Sequence, residues 1–508
     1  MSQEFKTNLD KIKYFKETQP LLIVGVLILK SKYKYGKNSR GVEKYLFKPF
    51  DYKLPNFIVA SKIKGENEYI IVKPIDKEFN ENPYGENAGF DIGKVSNLNY
   101  TKKALFYYYK LNFKKYKGKI PTITYSPVEI KDNIISIDPT GCRDIDDAVS
   151  YGGNKLKIYL ADTTEINMNI FNNACKQCTT VYTDDKIQHM LPEKMMESCS
   201  LLKNLFRRAN VCEINIDSNY NITDVHFYQK IIKVNENYSY QEADNENLPY
   251  INTIMDIVEN INFNYNQHNG SRSHKVIEKL MVMVNNLVVK ELLKTNKQFI
   301  IRKHTKNNSN ITVPPIFSNF YDIYTSNSAE YVLYDKEHKH SGLGIKQYTH
   351  FTSPLRRLVD LVNHLILFTD KIFTNVELQN ICTNCNEINK RIKKYDIECK
   401  KLNLLNIDID TDYDITYEGY IIDFIERKDL PIKIKFYIPA LDIVLNQETY
   451  NYKLKTIYKT KLSENKDKLI LTKDNLVTEY ILFQKIVVSL HKRPDEINPN
   501  RKLKFEIF

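Results

Sequence analysis

Four aspartates fall within ten residues in Ile-Ser-Ile-Asp138-Pro-Thr-Gly-Cys-Arg-Asp144-Ile-Asp146-Asp147-Ala. Two carboxylates about 4 Å apart repel by roughly 4 kcal/mol at an effective dielectric near 20. Such a group either stays partly protonated, splays into water as an acidic turn, or holds a divalent cation. An all-carboxylate ligand set without His or Cys suits a hard cation, Mg2+ or Mn2+. An EF-hand needs alternate acids, a Gly and a distant Glu, which are missing. A phosphatase-type DxD would need an acid where Thr140 stands. The β-branched run before Asp138 predicts a short strand, and Pro139 with Gly141 predicts a turn after it. That turn would bring Asp144, Asp146 and Asp147 back towards Asp138.

A second stretch runs Tyr348-Thr-His-Phe-Thr-Ser353-Pro354-Leu-Arg356-Arg357-Leu-Val-Asp360-Leu-Val-Asn-His364. Ser353 is a good N-cap and Pro354 suits the first helical position, so a helix is predicted from there. Leu355, Leu358, Val359, Val362, Leu365 and Ile366 then form one apolar face. Arg356 and Arg357 would lie in the first turn, where the helix dipole disfavours cations. That placement makes sense if an anion docks beside them, or if they pair with local acids such as Asp360.

Together these stretches resemble the RNase II (RNB) family of 3′→5′ exoribonucleases. The family's D-x5-D-x-D-D pattern is matched at Asp138, Asp144, Asp146 and Asp147, and its YTHFTSPIRRY hallmark is matched from Tyr348 onward. Leu358 replaces the usual tyrosine, and Leu365 the usual arginine after His364. A third family stretch reappears over 181–193, beginning Val181-Tyr182 and ending Pro192-Glu193, with Cys199-Ser-Leu201 after it. The resemblance implies two Mg2+ held by the four aspartates and single-stranded RNA as substrate, released as nucleoside 5′-monophosphates. It assigns Asp138 and Asp147 to the metal on the scissile phosphate. Asp144 and Asp146 serve the second metal and the attacking water, with Asp146 most important for turnover. Arg356 would neutralise phosphate charge and Tyr182 would stack on the last base. Arg357, Tyr348 and Glu278 are further expected RNA contacts; Lys279 replaces the acid that follows Glu278 in relatives. The alternative is an RNA-binding protein that keeps the fold without catalysis, against which stands the retention of all four aspartates.

The 508 residues carry 74 Lys+Arg against 62 Asp+Glu, a net +12, which suits a polyanionic partner without identifying one. The Lys, Asn, Ile and Tyr bias suggests an AT-rich coding sequence, such as that of a large DNA virus or a parasite. No apolar run spans a membrane and no signal-peptide pattern stands at the N-terminus, so a soluble intracellular protein is expected. Two CxxC pairs, Cys175/Cys178 and Cys382/Cys385, could hold Zn2+ if joined in space. They lie 207 positions apart (382 − 175) on helical segments, so reduced packing cysteines are the expectation.

The expected architecture is α+β and multi-domain: a central mixed α/β RNB domain flanked by OB-type β-barrels. Residues 1–118 read as a cold-shock-like barrel from four strand candidates and a Leu46–Pro55 stretch similar to the exosome's RNB subunit. No PIN-type endonuclease domain is expected before it. Residues 119–405 form the expected catalytic block, with segment 263–274 as a surface loop. Residues 406–508 alternate polar and apolar like half-buried strands and read as a degenerate S1-type barrel.

Overall fold

The computed structural model describes residues 7–507 apart from 80, 122–124, 185, 246–247, 268, 306–312, 315–327, 407–414, 428–429, 450–458, 474–475, 494–495 and 500–501. Residues 185 and 268, within the stretches 181–193 and 263–274, thus lie outside the described part. After helix α1 (Asn8–Thr18), the apolar run at 23–28 forms β1 (Ile23–Ile28). It is followed by β2 (Lys44–Pro49), β3 (Phe57–Ala60), β4 (Glu68–Pro74) and β5 (Tyr84–Lys94). These close into a barrel in the order β1-β2-β3-β5-β4, the connectivity of an OB-type barrel. Leu27, Phe47, Phe57, Val59, Ile70 and Val72 fill it. A side chain at Gly25 would collide with the β2 backbone at Lys48, so only glycine lets β1 and β2 close there. Helix α2 (Leu98–Tyr108) follows, capped by Asn97.

The chain divides into two compact units: Met1–Asn112, 310–318 and Arg391–Phe508 in one, Phe113–Ser309 and Asn319–Lys390 in the other. Both β-rich ends, expected as separate domains, fall within the first unit. Its C-terminal part holds β16 (Ile415–Arg427), β17 (Leu430–Ile438), β18 (Ile443–Glu448), β22 (Lys485–Lys492) and β23 (Leu503–Ile507) in one sheet. A second sheet contains β19 (Lys459–Leu462), β20 (Lys468–Lys473) and β21 (Leu476–Ile481). Ile421, Phe436, Leu469 and Val488 share one core, so the two sheets enclose a common interior.

The second unit is built on a six-stranded mixed sheet, β12-β11-β8-β7-β6-β13. Its strands are β6 (Ile135–Asp138), β7 (Asp147–Gly152), β8 (Lys155–Ala161), β11 (Phe206–Ile216), β12 (Ile222–Lys233) and β13 (Glu236–Ser239). Neighbours run antiparallel except β6 and β13, which pair in parallel with Asp138 opposite Ser239. Helices α3 (Met168–Gln177), α4 (Glu193–Cys199), α5 (Tyr240–Ala243), α6 (Pro249–Asn260), α7 (Arg272–Lys294) and α8 (Leu358–Phe368) belong to the same unit. The short hairpin β9 (Val181–Tyr182) and β10 (Ile187–Gln188) stands beside them, and β14 (Ile300–Lys303) pairs with β15 (Glu330–Leu333). The long α9 (Asn375–Asn403) follows α8. Segment 263–274 is not all loop, because α7 begins at Arg272, whose guanidinium binds Glu259 and Asp256 of α6. Among the described residues, no helix is long and apolar enough to cross a membrane.

The α8 helix starts later than its sequence signal. Its first residue is Leu358, not Pro354, because Arg357 is extended (φ −130°, ψ 126°) and bridges Thr179. The Leu358 amide donates to Cys178 O at 2.9 Å, so a long-range pairing takes the place of the Ser353 cap. Arg356 and Arg357 therefore precede the helix instead of lying in its first turn.

Candidate active site

The carboxylates gather where β6 ends and β7 begins. Thr140 and Gly141 form the turn, with Gly141 at φ +79° and Cys142 N donating to Pro139 O at 3.0 Å. The loop returns under Ser200, whose hydroxyl donates to Arg143 O at 2.7 Å and accepts from Ile145 N at 2.9 Å. Leu201 N closes the clamp on Ile145 O at 3.1 Å. The Cys-Ser-Leu stretch is thus a brace for the aspartate loop, a role its sequence alone did not reveal.

Each aspartate has a distinct environment. Asp144 Oδ2 accepts the Tyr182 hydroxyl at 2.7 Å. Asp146 is 4% exposed; its Oδ1 accepts the Leu355 amide at 2.9 Å and its Oδ2 the Arg356 Nε at 3.2 Å. Burial pushes the Asp146 carboxyl up to about 7, against the pull of Arg356. Asp138 is raised to about 6 by burial and by Asp144, with Ser136 and Arg356 opposing, and its Oδ2 is buried without a partner. Asp147 is pushed well up by burial and by the charges of Asp138 and Asp146. These are carboxylate oxygens whose charge the protein offsets only in part, a donor set that would suit a hard divalent cation. Among the described residues, no three His, Cys, Asp or Glu side chains already stand as an assembled coordination sphere. Loading would have to draw the carboxylates together, against the repulsion they feel without a cation.

Around the acids stand groups that could hold a nucleotide. Arg356 is 44% exposed, fixed by Asp146 and by Ser353 Oγ at 3.1 Å. Its backbone is gripped as well: Thr180 N and Thr179 Oγ1 both donate to Arg356 O at 2.9 Å. Tyr182 is 48% exposed, its ring accessible while its hydroxyl is held on Asp144. Tyr240 was not among the expected site residues. The Ser239/Glu242 capping box starts α5 at this tyrosine, its ring stacks on His274 at 3.7 Å, and Asp147 and Asp138 act on its hydroxyl. Nothing local singles out one tyrosine among 36, so only the parallel β6–β13 pairing reveals it.

Three further residues expected to touch RNA have partners of their own within the protein. Arg357 donates through Nη2 to the fully buried Asp360 at 2.7 Å, the local pairing weighed against anion docking. Tyr348 is 7% exposed; its hydroxyl accepts Asn285 Nδ2 at 3.1 Å and its ring packs edge-on against His340 and His350. It belongs to the core because Asn285 of α7 holds the whole 348–351 stretch, accepting Phe351 N at 2.8 Å. Glu278 is half-buried on α7 near Tyr265. Lys279 donates to Glu259 O and Ile261 O, at 3.0 and 2.8 Å, closing the end of α6. Asn363 and His364 of the hallmark are also braces. Asn363 Nδ2 bonds Ile300 O and Thr349 Oγ1, and the His364 ring lies between Asn210 Nδ2 and Phe351 O.

The two CxxC pairs meet. Asn384 Nδ2 donates to Cys175 O at 2.6 Å, and Cys178 and Cys385 line one small cavity.

The fold class is therefore α+β and multi-domain, a mixed central sheet with β-barrel-type flanks. The family model described as the RNB domain matches residues 130–247 and 245–369, which cover the sheet, the aspartate loop and α8. Residues 130–369, a little under half of the chain, match an RNB domain. Ribonuclease R of Chlamydia pneumoniae is 23% identical over 60% of this chain and 57% of that protein, so the chain spans little more than half the length of this relative. Among solved structures, Mycoplasma genitalium RNase R in complex with ribose-methylated single-stranded RNA shares the fold with a TM-score of 0.75. That match has 17% identity and covers 96% of this chain and 90% of that one. Yeast Ssd1, a pseudonuclease, shares it with a TM-score of 0.61 and 16% identity over 89% and 67% of the two chains.

Proposed function

We propose that this chain is a divalent-metal-dependent 3′→5′ exoribonuclease that shortens single-stranded RNA by one nucleoside 5′-monophosphate at a time. The observation that carries the reading is Arg356 seated on Asp146 beside Asp138 and Asp147, with the accessible Tyr182 ring tethered to Asp144. Two Mg2+ or Mn2+ held by Asp138, Asp144, Asp146 and Asp147 would supply an activated water and stabilise the leaving 3′-oxygen. Asp146 orients Arg356, and Ser353 and the Thr179–Thr180 backbone keep it from swinging away. From there its guanidinium can face a phosphate whose charge grows in the transition state. Tyr182 offers its ring to the terminal base while Asp144 holds the hydroxyl still.

That base contact has a measurable weight. Tyr182→Ala removes a stack worth roughly 1–3 kcal/mol, so KM for a short single-stranded RNA is expected to rise about 5- to 150-fold. Tyr182→Phe keeps the ring and should stay within severalfold of wild type. Equal losses in both variants would assign the residue's role to the Asp144 bond instead of to stacking.

The likeness to Ssd1, a pseudonuclease, favours a second reading: an RNB fold that binds RNA without cutting it. Chromatography of the products separates the two. EDTA-sensitive release of nucleoside 5′-monophosphates supports the enzyme, and intact RNA recovered after saturating incubation with Mg2+ or Mn2+ supports the silent binder.

A further inference from the structure

Two CxxC pairs distant in sequence meet beside Thr179. Cys178 ends α3 in the left-handed region (φ +62°), a conformation that a residue with a Cβ rarely adopts unless its surroundings enforce it. Cys382 and Cys385 are one helical turn apart on α9 and are 0% and 2% exposed. Asn384 stands between Cys382 and Cys385 on α9, so its bond to Cys175 O joins the two pairs, and the Cys178, Cys382 and Cys175 thiols all push the pKa of Cys385 up. Cys178 and Cys385 also line a cavity of about 40 Å3, together with Thr179, Tyr331, Arg357 and Asn389. Arg357, on that cavity wall, has a buried Nε without a hydrogen-bond acceptor.

We propose that Cys175, Cys178, Cys382 and Cys385 bind one Zn2+ as a tetrahedral four-thiolate site that staples the end of α3 to α9. Two C-x2-C pairs are the ligand spacing of structural zinc, with Zn–S bonds of about 2.3 Å. Zn2+ with four thiolates carries two net negative charges, and the orphaned Arg357 N–H supplies a donor and a cation at the cavity they share. As the thiols stand, the described residues hold no assembled metal sphere, so binding must draw Cys175 and Cys382 inward. The alternative, a regulatory disulfide, fits less well, because Cys178 and Cys385 are 3% and 2% exposed and out of easy reach of an oxidant. The staple would bear on the RNB site through the chain itself: Cys178 O holds the first amide of α8, and the next two residues hold Arg356 O.

The test is made on the full chain, expressed with zinc and passed over a chelating resin. Close to one Zn2+ per chain is expected by elemental mass spectrometry, falling to below a tenth in Cys382→Ser/Cys385→Ser and unchanged in Asp146→Asn. The last comparison separates this site from the aspartates. Co2+ titrated into metal-stripped wild-type protein should give thiolate charge-transfer and tetrahedral absorption bands, a readout that holds even if the serine variant misfolds. Wild-type protein without zinc and without these Co2+ bands would overturn the proposal. So would a Cys178–Cys385 disulfide found by alkylation and peptide mapping of the protein as isolated.

Discussion

Asp146→Asn is expected to lower kcat on single-stranded RNA by on the order of 10²–10³-fold while leaving RNA affinity within about threefold. The asparagine keeps the size of the side chain and can still accept the Leu355 amide. It loses the charge that seats Arg356 Nε at 3.2 Å and that would bind a cation. Affinity should survive, because the Tyr182 ring and the cationic surface of the chain are unaltered. Rapid-quench cleavage assays beside filter binding, on protein verified as folded, separate the two quantities. Cleavage within tenfold of wild type would remove Asp146 from the chemistry.

The second large effect is on stability. Asp360 is fully buried, and its Oδ1 accepts both the Ser353 amide at 2.8 Å and Arg357 Nη2 at 2.7 Å. Asp360→Ala leaves the Arg357 charge without its acid, and breaking a buried pair from one side costs roughly 3–5 kcal/mol. That is a large part of the about 5–15 kcal/mol that holds a typical domain together. Urea unfolding should show a lower midpoint without a changed slope. Replacing both partners, as Arg357→Met/Asp360→Leu, should recover most of the loss, since neither charge is then stranded. A cost below about 1 kcal/mol for Asp360→Ala would show that Arg357 finds another partner or water. Because Ser353 also holds Arg356 Nη2, the same variant should lose activity before it loses fold.

What the sequence made legible was governed by short spacing. Four acids within ten residues, with a turn among them, could hardly avoid one another, and the structure brings Asp138, Asp144, Asp146 and Asp147 to one sheet end. Four of the five barrel strands were legible because β-branched and aromatic runs stand between glycine, asparagine and proline turns, whereas β5 is interrupted by Gly85, Gly89 and Gly93 and carries no such run. The start of α8 was not, because the cap signal at Ser353 is local while the competing Arg357–Thr179 bridge joins residues 178 positions apart (357 − 179). The motif residues Tyr348 and Arg357 read as RNA contacts, since a motif marks a position without telling which way it faces. In the structure Asn285 holds the Tyr348 hydroxyl and Asp360 holds the Arg357 guanidinium. Tyr240 and the meeting of the two CxxC pairs depend on tertiary packing alone, and no local pattern announces either.

The most direct measurement gives the protein 5′-labelled single-stranded RNA with a free or a blocked 3′ end, in Mg2+, and resolves the products at single-nucleotide steps. A ladder shortening from the free 3′ end, halted by the block and by EDTA, is the expected result. Cleavage that ignores the 3′ block, or RNA that is bound and never shortened in either metal, would contradict a carboxylate site built to take the last nucleotide from an RNA end.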